Sequence, residues 1–285
     1  MPDVRFDNGL AAITPPDAWE LVAEGLGFTE GPLWHPDGSL LFSDTPGGRI
    51  CQVRDGALAT YRDLPGDGPV GMTLDLQGRL LVCMQDGRWV GREQGGRIEP
   101  IATHYDGRRL NSPNDIVVRS DGRVFFTDPP YGLKDESGRE LPYNAVFALS
   151  PAGELRPLVT DFERPNGLAF SVDERTLYVA DTARHHVRAF DVAADGSLSA
   201  GRVFAEMREE GRPDGMKLDR AGRLYVCAGT VQVFAGDATP LGVIDCPQSP
   251  ANCAWGEDGS TLYITARTSV YRTRLEARGV APHLR

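Results

Sequence analysis

Apolar positions in this chain fall into short runs separated by small polar clusters, and one arrangement recurs six times. A polar residue leads a short apolar run, a turn of the Asp-Gly kind follows, and then comes a strand rich in Leu, Val, Tyr and Phe. The copies are EGPLWHPDGSLLFSD (30–44), VGMTLDLQGRLLVCM (70–84), NDIVVRSDGRVFFTD (114–128), NGLAFSVDERTLYVAD (166–181), DGMKLDRAGRLYVCA (214–228) and NCAWGEDGSTLYITA (252–266). They begin at 30, 70, 114, 166, 214 and 252, with spacings of 40, 44, 52, 48 and 38 residues. Each copy reads as a hairpin, because Asp37-Gly38, Asp121-Gly122 and Asp258-Gly259 tolerate the positive φ of tight turns. A third strand follows each hairpin: GRICQVR (48–54), GRWVGRE (87–93), NAVFALS (144–150), HVRAFDV (186–192), VQVFAG (231–236) and SVYRTRL (269–275). A fourth follows in places, such as ELRPLVT (154–160).

Up to four strands per unit at this period is the signature of a propeller blade. The expected fold is therefore all-β: a six-bladed β-propeller of four-stranded antiparallel blades around a central channel, with residues 1–285 as one domain. No amphipathic helix is predicted, and the WD dipeptide pattern is absent. The last copy ends near the C-terminus, so AWELVAEGL (18–26) is expected as the outer strand of the last blade. Pairing there would close the ring and remove an exposed edge.

Composition narrows the function classes. Hydrophobic residues make up 41% and charged residues 25%, as in an ordinary soluble globular chain. The net charge of -10 repels phosphate backbones, which argues against nucleic acid as a partner. The five cysteines form no CxxC pair, and Cys83 and Cys227 sit in apolar runs. Buried reduced thiols in a cytoplasmic protein are expected, rather than a zinc–thiolate site. The N-terminus has no basic start followed by an apolar stretch, and no apolar run reaches membrane-spanning length. Neither a membrane nor an obligatory protein partner is expected.

The first position of the repeat carries the chemistry. It reads Glu30, Val70, Asn114, Asn166, Asp214 and Asn252, so five of six bear a side-chain oxygen. Asn is scarce in the chain, and three of its six occurrences fall here. In a propeller the innermost strands line the channel. Equivalent positions at their heads form a ring at one mouth. Carboxylate and amide oxygens without thiolates suit a hard cation. Glu30 and Asp214 would neutralise a divalent ion, and Asn114 and Asn166 would add neutral oxygens. Ca²⁺ fits that donor set best, with Zn²⁺, Mg²⁺, Mn²⁺ and Fe as alternatives. Val70 would give a wall, and Asn252, outside the Pro-polar-Gly form, a strand cap. Pro-Asn-Gly (165–167) and Pro-Asp-Gly (213–215) are also common turn formers, so the assignment rests on the set.

The motifs FTEGPLW (28–34), LNSPNDIVVRSDGRVFFTDPPYG (110–132), RPNGLAFS (164–171), RPDGMKLD (212–219) and SPANCAWGEDGSTLYIT (249–265) resemble those of the gluconolactonase and senescence marker protein (regucalcin) family of sugar lactonases. The resemblance implies a six-bladed propeller with a divalent metal at the channel mouth. It implies Glu30, Asn166 and Asp214 as ligands, Asn114 as a further ligand or substrate contact, and Asp214 as catalytic base. Animal members carry a basic residue two positions before the Asn matching Asn114, where this chain has Ser112. That sugar contact does not carry over.

The expected reaction is hydrolysis of an aldonolactone to the sugar acid. The metal would polarise the carbonyl and Asp214 would take the proton of the attacking water. No GxSxG elbow offers a serine nucleophile. Trp34, Tyr131 and Asn111 are expected at the rim as further substrate contacts, and His185 and His186 as rim or surface residues. A phosphotriesterase-like hydrolase and a non-enzymatic calcium-binding propeller remain open on the same scaffold, since fold alone does not fix function.

Overall fold

The six hairpin repeats fold as six antiparallel sheets. The computed structural model describes residues 4–13, 18–209 and 211–280. Numbered from the first repeat, the blades have inner strands Thr29–Trp34, Pro69–Leu74, Ile116–Val118, Pro165–Phe170, Met216–Leu218 and Pro250–Gly256. Every sheet runs outward from its inner strand in sequence order, except for the N-terminal strands that form the outer edges of blades 5 and 6. Each inner strand contacts that of the next blade, and that of blade 6 returns to that of blade 1. The ring is a six-bladed β-propeller.

Burial follows position in the blade. In blade 1 the inner strand is almost wholly buried, while the outer strand Ala57–Asp63 is mostly exposed. The second strands, such as Leu40–Asp44 and Leu80–Met84, are buried along their whole length. That accounts for their unbroken apolar runs, since both faces meet a neighbouring blade. The core is thus a set of inter-blade layers. Phe125 of blade 3 meets Phe170 of blade 4 edge-on at 5.1 Å, and Tyr225 of blade 5 meets Trp255 of blade 6 at 5.2 Å. Each such aromatic contributes about 1.5–3 kcal/mol by burial.

The ring closes as the sequence leads one to expect. Glu20–Ala23 pairs with Ser269–Arg274 as the outer strand of blade 6. A second N-terminal strand, Val4–Asp7, adds a fifth member to blade 5 by pairing with Pro240–Ile244. The sequence reading missed it, because four residues carry too little periodicity to register. Among the described residues, the only helical elements are the short 3-10 turns Leu10–Ala12 and Glu136–Gly138. No described helix is long and apolar enough to cross a membrane.

One irregularity recurs and positions the site. Pairing between first and second strands slips beside the lead residue of the repeat in four blades: between Glu30 and Leu33, Pro69 and Met72, Pro165 and Leu168, and Pro250 and Asn252. In blades 3 and 5 the inner strand starts only after it, at Ile116 and Met216. Bulges of this kind re-aim side chains that a regular strand would alternate. Glycine then lets the lead residues crowd together. A Cβ on Gly31 would lie 1.9 Å from the Val70 carbonyl oxygen, and one on Gly167 would lie 2.2 Å from that of Asp214.

Candidate functional site

Glu30, Val70, Asn114, Asn166 and Asp214 line one cavity of about 720 Å³ at the mouth where the inner strands begin. Five blades contribute, from positions more than 180 residues apart in sequence. Glu30, Asn114 and Asn166 are buried, and Asp214 is half-buried at the wall. Tyr131 joins them from the loop after the second strand of blade 3.

The two carboxyls are held where ionisation is costly. Burial pushes Glu30 up to about 7, aided by the charge of Asp115 and opposed by the Gly31 N–H, the Asn252 amide and Lys217. Burial also raises Asp214 well above the usual carboxylate range, and the charges of Glu30 and Asp115 add to it. Two carboxyls in one cavity either share protons or take up a cation.

The amide of Asn166 has a fixed orientation. Its Nδ2 donates to Thr182 Oγ1 at 3.0 Å and to the Tyr131 hydroxyl at 3.3 Å. Thr182 in turn donates to the Pro213 carbonyl at 2.6 Å, tying blade 4 to the segment that carries Asp214. The amide oxygen of Asn166 is left buried with no hydrogen-bond partner. A buried acceptor without a donor costs about 1–3 kcal/mol. Asn114 makes no side-chain hydrogen bond among the described residues; its backbone carbonyl accepts from Gly71 at 2.8 Å. No three His, Cys, Asp or Glu side chains cluster as a metal group among the described residues. The donor set at this mouth is two carboxylates plus amide oxygens, and the orphaned Asn166 oxygen fits a hard cation.

The structure does not bring every expected rim residue here. Trp34 belongs to a second cavity of about 340 Å³ at the far end of the channel, stacked on Tyr263 at 5.4 Å. Four residues of extended strand carry it about 13 Å from Glu30. Asn111 is fully buried and donates to the carbonyls of Tyr143 at 2.8 Å and Asp128 at 3.2 Å, so it braces a loop. Asn252 is no ligand-like wall residue; it lies outside the cavity lining and its amide holds Glu30. His185 and His186 also lie outside the lining, with His185 Nδ1 against the Gly211 carbonyl. Ser112 accepts at its hydroxyl from the Gly132 N–H at 2.7 Å, anchoring the turn beside Tyr131.

Sequence reasoning missed Gln85, Arg212, Gln232 and Arg267, which also line the cavity. A signal existed for two of them. Gln85 and Arg267 each directly follow the second strand of a blade, and those turns sit at the same mouth as the lead residues. All five cysteines are free, four of them buried, as expected for thiols used in packing.

Comparison with known proteins converges on one family. The family model described as "SMP-30/Gluconolactonase/LRE-like region" matches residues 28–268. The chain is 35% identical to a gluconolactonase of Zymomonas mobilis, over 96% of this chain and 85% of that one. It is 32% identical to the pentonolactonase XacC of Haloferax volcanii, over 83% and 80% of the two chains. The solved gluconolactonase of Xanthomonas campestris superposes with a TM-score of 0.89 at 34% identity, covering 96% of this chain and 95% of that one. Fold, repeat and motif agree, and the chain belongs to the SMP-30/gluconolactonase/LRE-like family.

Proposed function

We propose that this protein is a divalent-metal-dependent lactonase that opens a sugar lactone to its acid. Glu30, Asn166 and Asp214 would hold the metal, and Asn114 would be a fourth ligand or a substrate contact. The observation that carries the reading is the buried Asn166 oxygen without a partner, in the same cavity as two carboxyls that burial disfavours as anions. The relatives, a gluconolactonase and a pentonolactonase, supply the reaction class.

A hard cation bound there would supply Lewis-acid polarisation of the ester carbonyl and charge for the developing oxyanion. The chain's own groups do the rest. Asp214, on the wall of the same cavity, takes the proton from the attacking water. The water oxygen bonds to the carbonyl carbon, the ring C–O bond breaks, and Asp214 returns the proton to the leaving ring oxygen. Water plus lactone thus gives a hydroxy acid with no other reactant. Tyr131 and Thr182 fix the Asn166 amide, so its oxygen faces away from both.

The test is elemental analysis of the purified protein, then a pH-indicator assay on aldonolactones with chelator and with Ca²⁺, Mg²⁺, Mn²⁺, Zn²⁺ or Fe²⁺ restored. Turnover should vanish on chelation and return with a divalent ion. Full activity in a verified metal-free sample would reject the metal role. Paraoxon hydrolysis without any lactone turnover would reject the substrate class.

A further inference from the structure

The mouth of the cavity carries positive charge that the proposed metal and carboxyls do not use. Arg212 lies just before the inner strand of blade 5, and Arg267 in the turn between the second and third strands of blade 6. Both line the cavity that contains Glu30 and Asp214, and both are exposed. Neither makes an ion pair or a side-chain hydrogen bond among the described residues. Many arginines elsewhere are paired, as in Arg49 with Asp44, Arg79 with Asp75 and Arg188 with Asp161; Arg97, Arg108, Arg175 and Arg220 show no such partner among the described residues, but they do not line this cavity. Arg208 and Glu209 stand at the same mouth and offset each other in charge.

Arg267 is held against local preference. Its φ is 52°, in the left-handed region. The matching turn of blade 5, Ala228-Gly229-Thr230, places glycine there with φ 79°, and it lines the same cavity. Blade 6 reads Ala266-Arg267-Thr268. A side chain in that conformation costs about 1–2 kcal/mol relative to glycine. Other blades also place a non-glycine residue in this region at that turn, Arg88 at φ 65° and His185 at φ 56°, but neither lines the cavity.

We propose that Arg212 and Arg267 select lactones bearing a second, anionic group, a carboxylate or a phosphate, remote from the ring carbonyl. The inference rests on the lactonase reading and specifies its substrate class. A guanidinium fork matches either anion with two parallel hydrogen bonds. A neutral sugar lactone would leave both cations facing only water. A cavity of about 720 Å³ has room for a six-carbon lactone with such a group.

The test compares kcat/KM for glucono-1,5-lactone, 6-phosphoglucono-1,5-lactone and a glucarolactone, after subtraction of spontaneous hydrolysis. The metal-loaded wild type should favour at least one anionic lactone over the neutral one by about tenfold. Which one it favours separates phosphate from carboxylate. Arg267→Gly suits the backbone at that position and so keeps the fold. It and Arg212→Gln should each lower the anionic-to-neutral ratio, and added salt should flatten it. A preference for the neutral lactone, or a ratio that neither variant moves, would overturn the proposal. If no lactone is hydrolysed, the lactonase reading fails separately. Calorimetric titration with 6-phosphogluconate, glucarate and gluconate then decides the role of the arginines. Tighter dianion binding that is lost in Arg267→Gly supports it, and equal binding of all three acids overturns it.

Discussion

Asn252 donates its side-chain amide to Glu30 Oε2 at 3.1 Å, across the join between blade 6 and blade 1. Its own Oδ1 accepts from the Cys253 N–H at 2.9 Å, so the amide cannot turn. The Gly31 N–H reaches the same Glu30 oxygen at 2.7 Å. One carboxylate oxygen is thus committed to the protein and the other is left to the cavity.

Asn252→Ala should therefore weaken divalent-metal binding without removing a ligand. Loss of such an orienting partner costs about 10–100-fold in metal affinity. Calorimetric titration of the chelated protein measures it directly. An affinity equal to wild type would show that Glu30 does not depend on this bond.

Asp214 carries two proposed roles, ligand and base, and Asp214→Asn separates them. The amide keeps an oxygen for the cation but cannot accept the water's proton. Turnover should fall by about 10²–10⁴, while metal content measured by elemental analysis stays above that of Asp214→Ala. Near wild-type kcat in metal-loaded Asp214→Asn would remove the base role.

Stability should fall with rising pH without metal and hold with it. The folded Glu30 carboxyl sits at about 7 against an ordinary 4.5, and Asp214 is raised too. A raised folded value means that the native state binds the proton more tightly than the unfolded chain. In chelator, the resulting stabilisation is complete below about 4.5 and is lost as pH climbs through about 7, on the order of 3 kcal/mol for Glu30. A bound divalent ion replaces those protons, so the metal-loaded protein should not lose Tm over this window. Thermal melts at pH 5 and pH 8, with chelator or with saturating metal, give the comparison. Parallel shifts in both samples would contradict it.

Much of this architecture was legible because a propeller repeats its chemistry. Six copies of one hairpin pattern, three of them with Asp-Gly turns, set the blade count, and AWELVAEGL stood out as an unpaired strand that blade 6 lacked. The shared first position brought Glu30, Asn114, Asn166 and Asp214 to one cavity. Trp34 was misplaced for a reason that strand geometry supplies: being close to Glu30 in sequence put it far along the channel. Asn111 looked like a rim residue only because it is polar, and its three donor contacts come from chain segments that no local pattern reveals. Arg212 belongs to a loop before its repeat copy, so alignment of the copies does not bring it to the mouth, whereas Arg267, directly after a second strand, was within reach of the repeat.

The glycine that follows the lead residue gives the sharpest test of how the ring is packed. Gly167 has no left-handed φ, yet a Cβ there would meet the Asp214 carbonyl oxygen at 2.2 Å and the Gly215 Cα at 2.7 Å. Both obstacles are backbone, which cannot swing aside as a side chain can. Gly153 offers the opposite case, with φ 86° but nothing within 4 Å of a modest Cβ. Gly153→Ala should cost only the conformational penalty, about 1 kcal/mol. Gly167→Ala must push blade 5 away from blade 4, and overpacking of this kind costs about 3 kcal/mol. It should also displace Asp214, so metal affinity falls in Gly167→Ala and not in Gly153→Ala. Urea denaturation and metal titration of the two variants read both effects. Equal stability losses would mean that the blades have slack at this mouth. The lead residues would then owe their shared cavity to something other than close inter-blade contact.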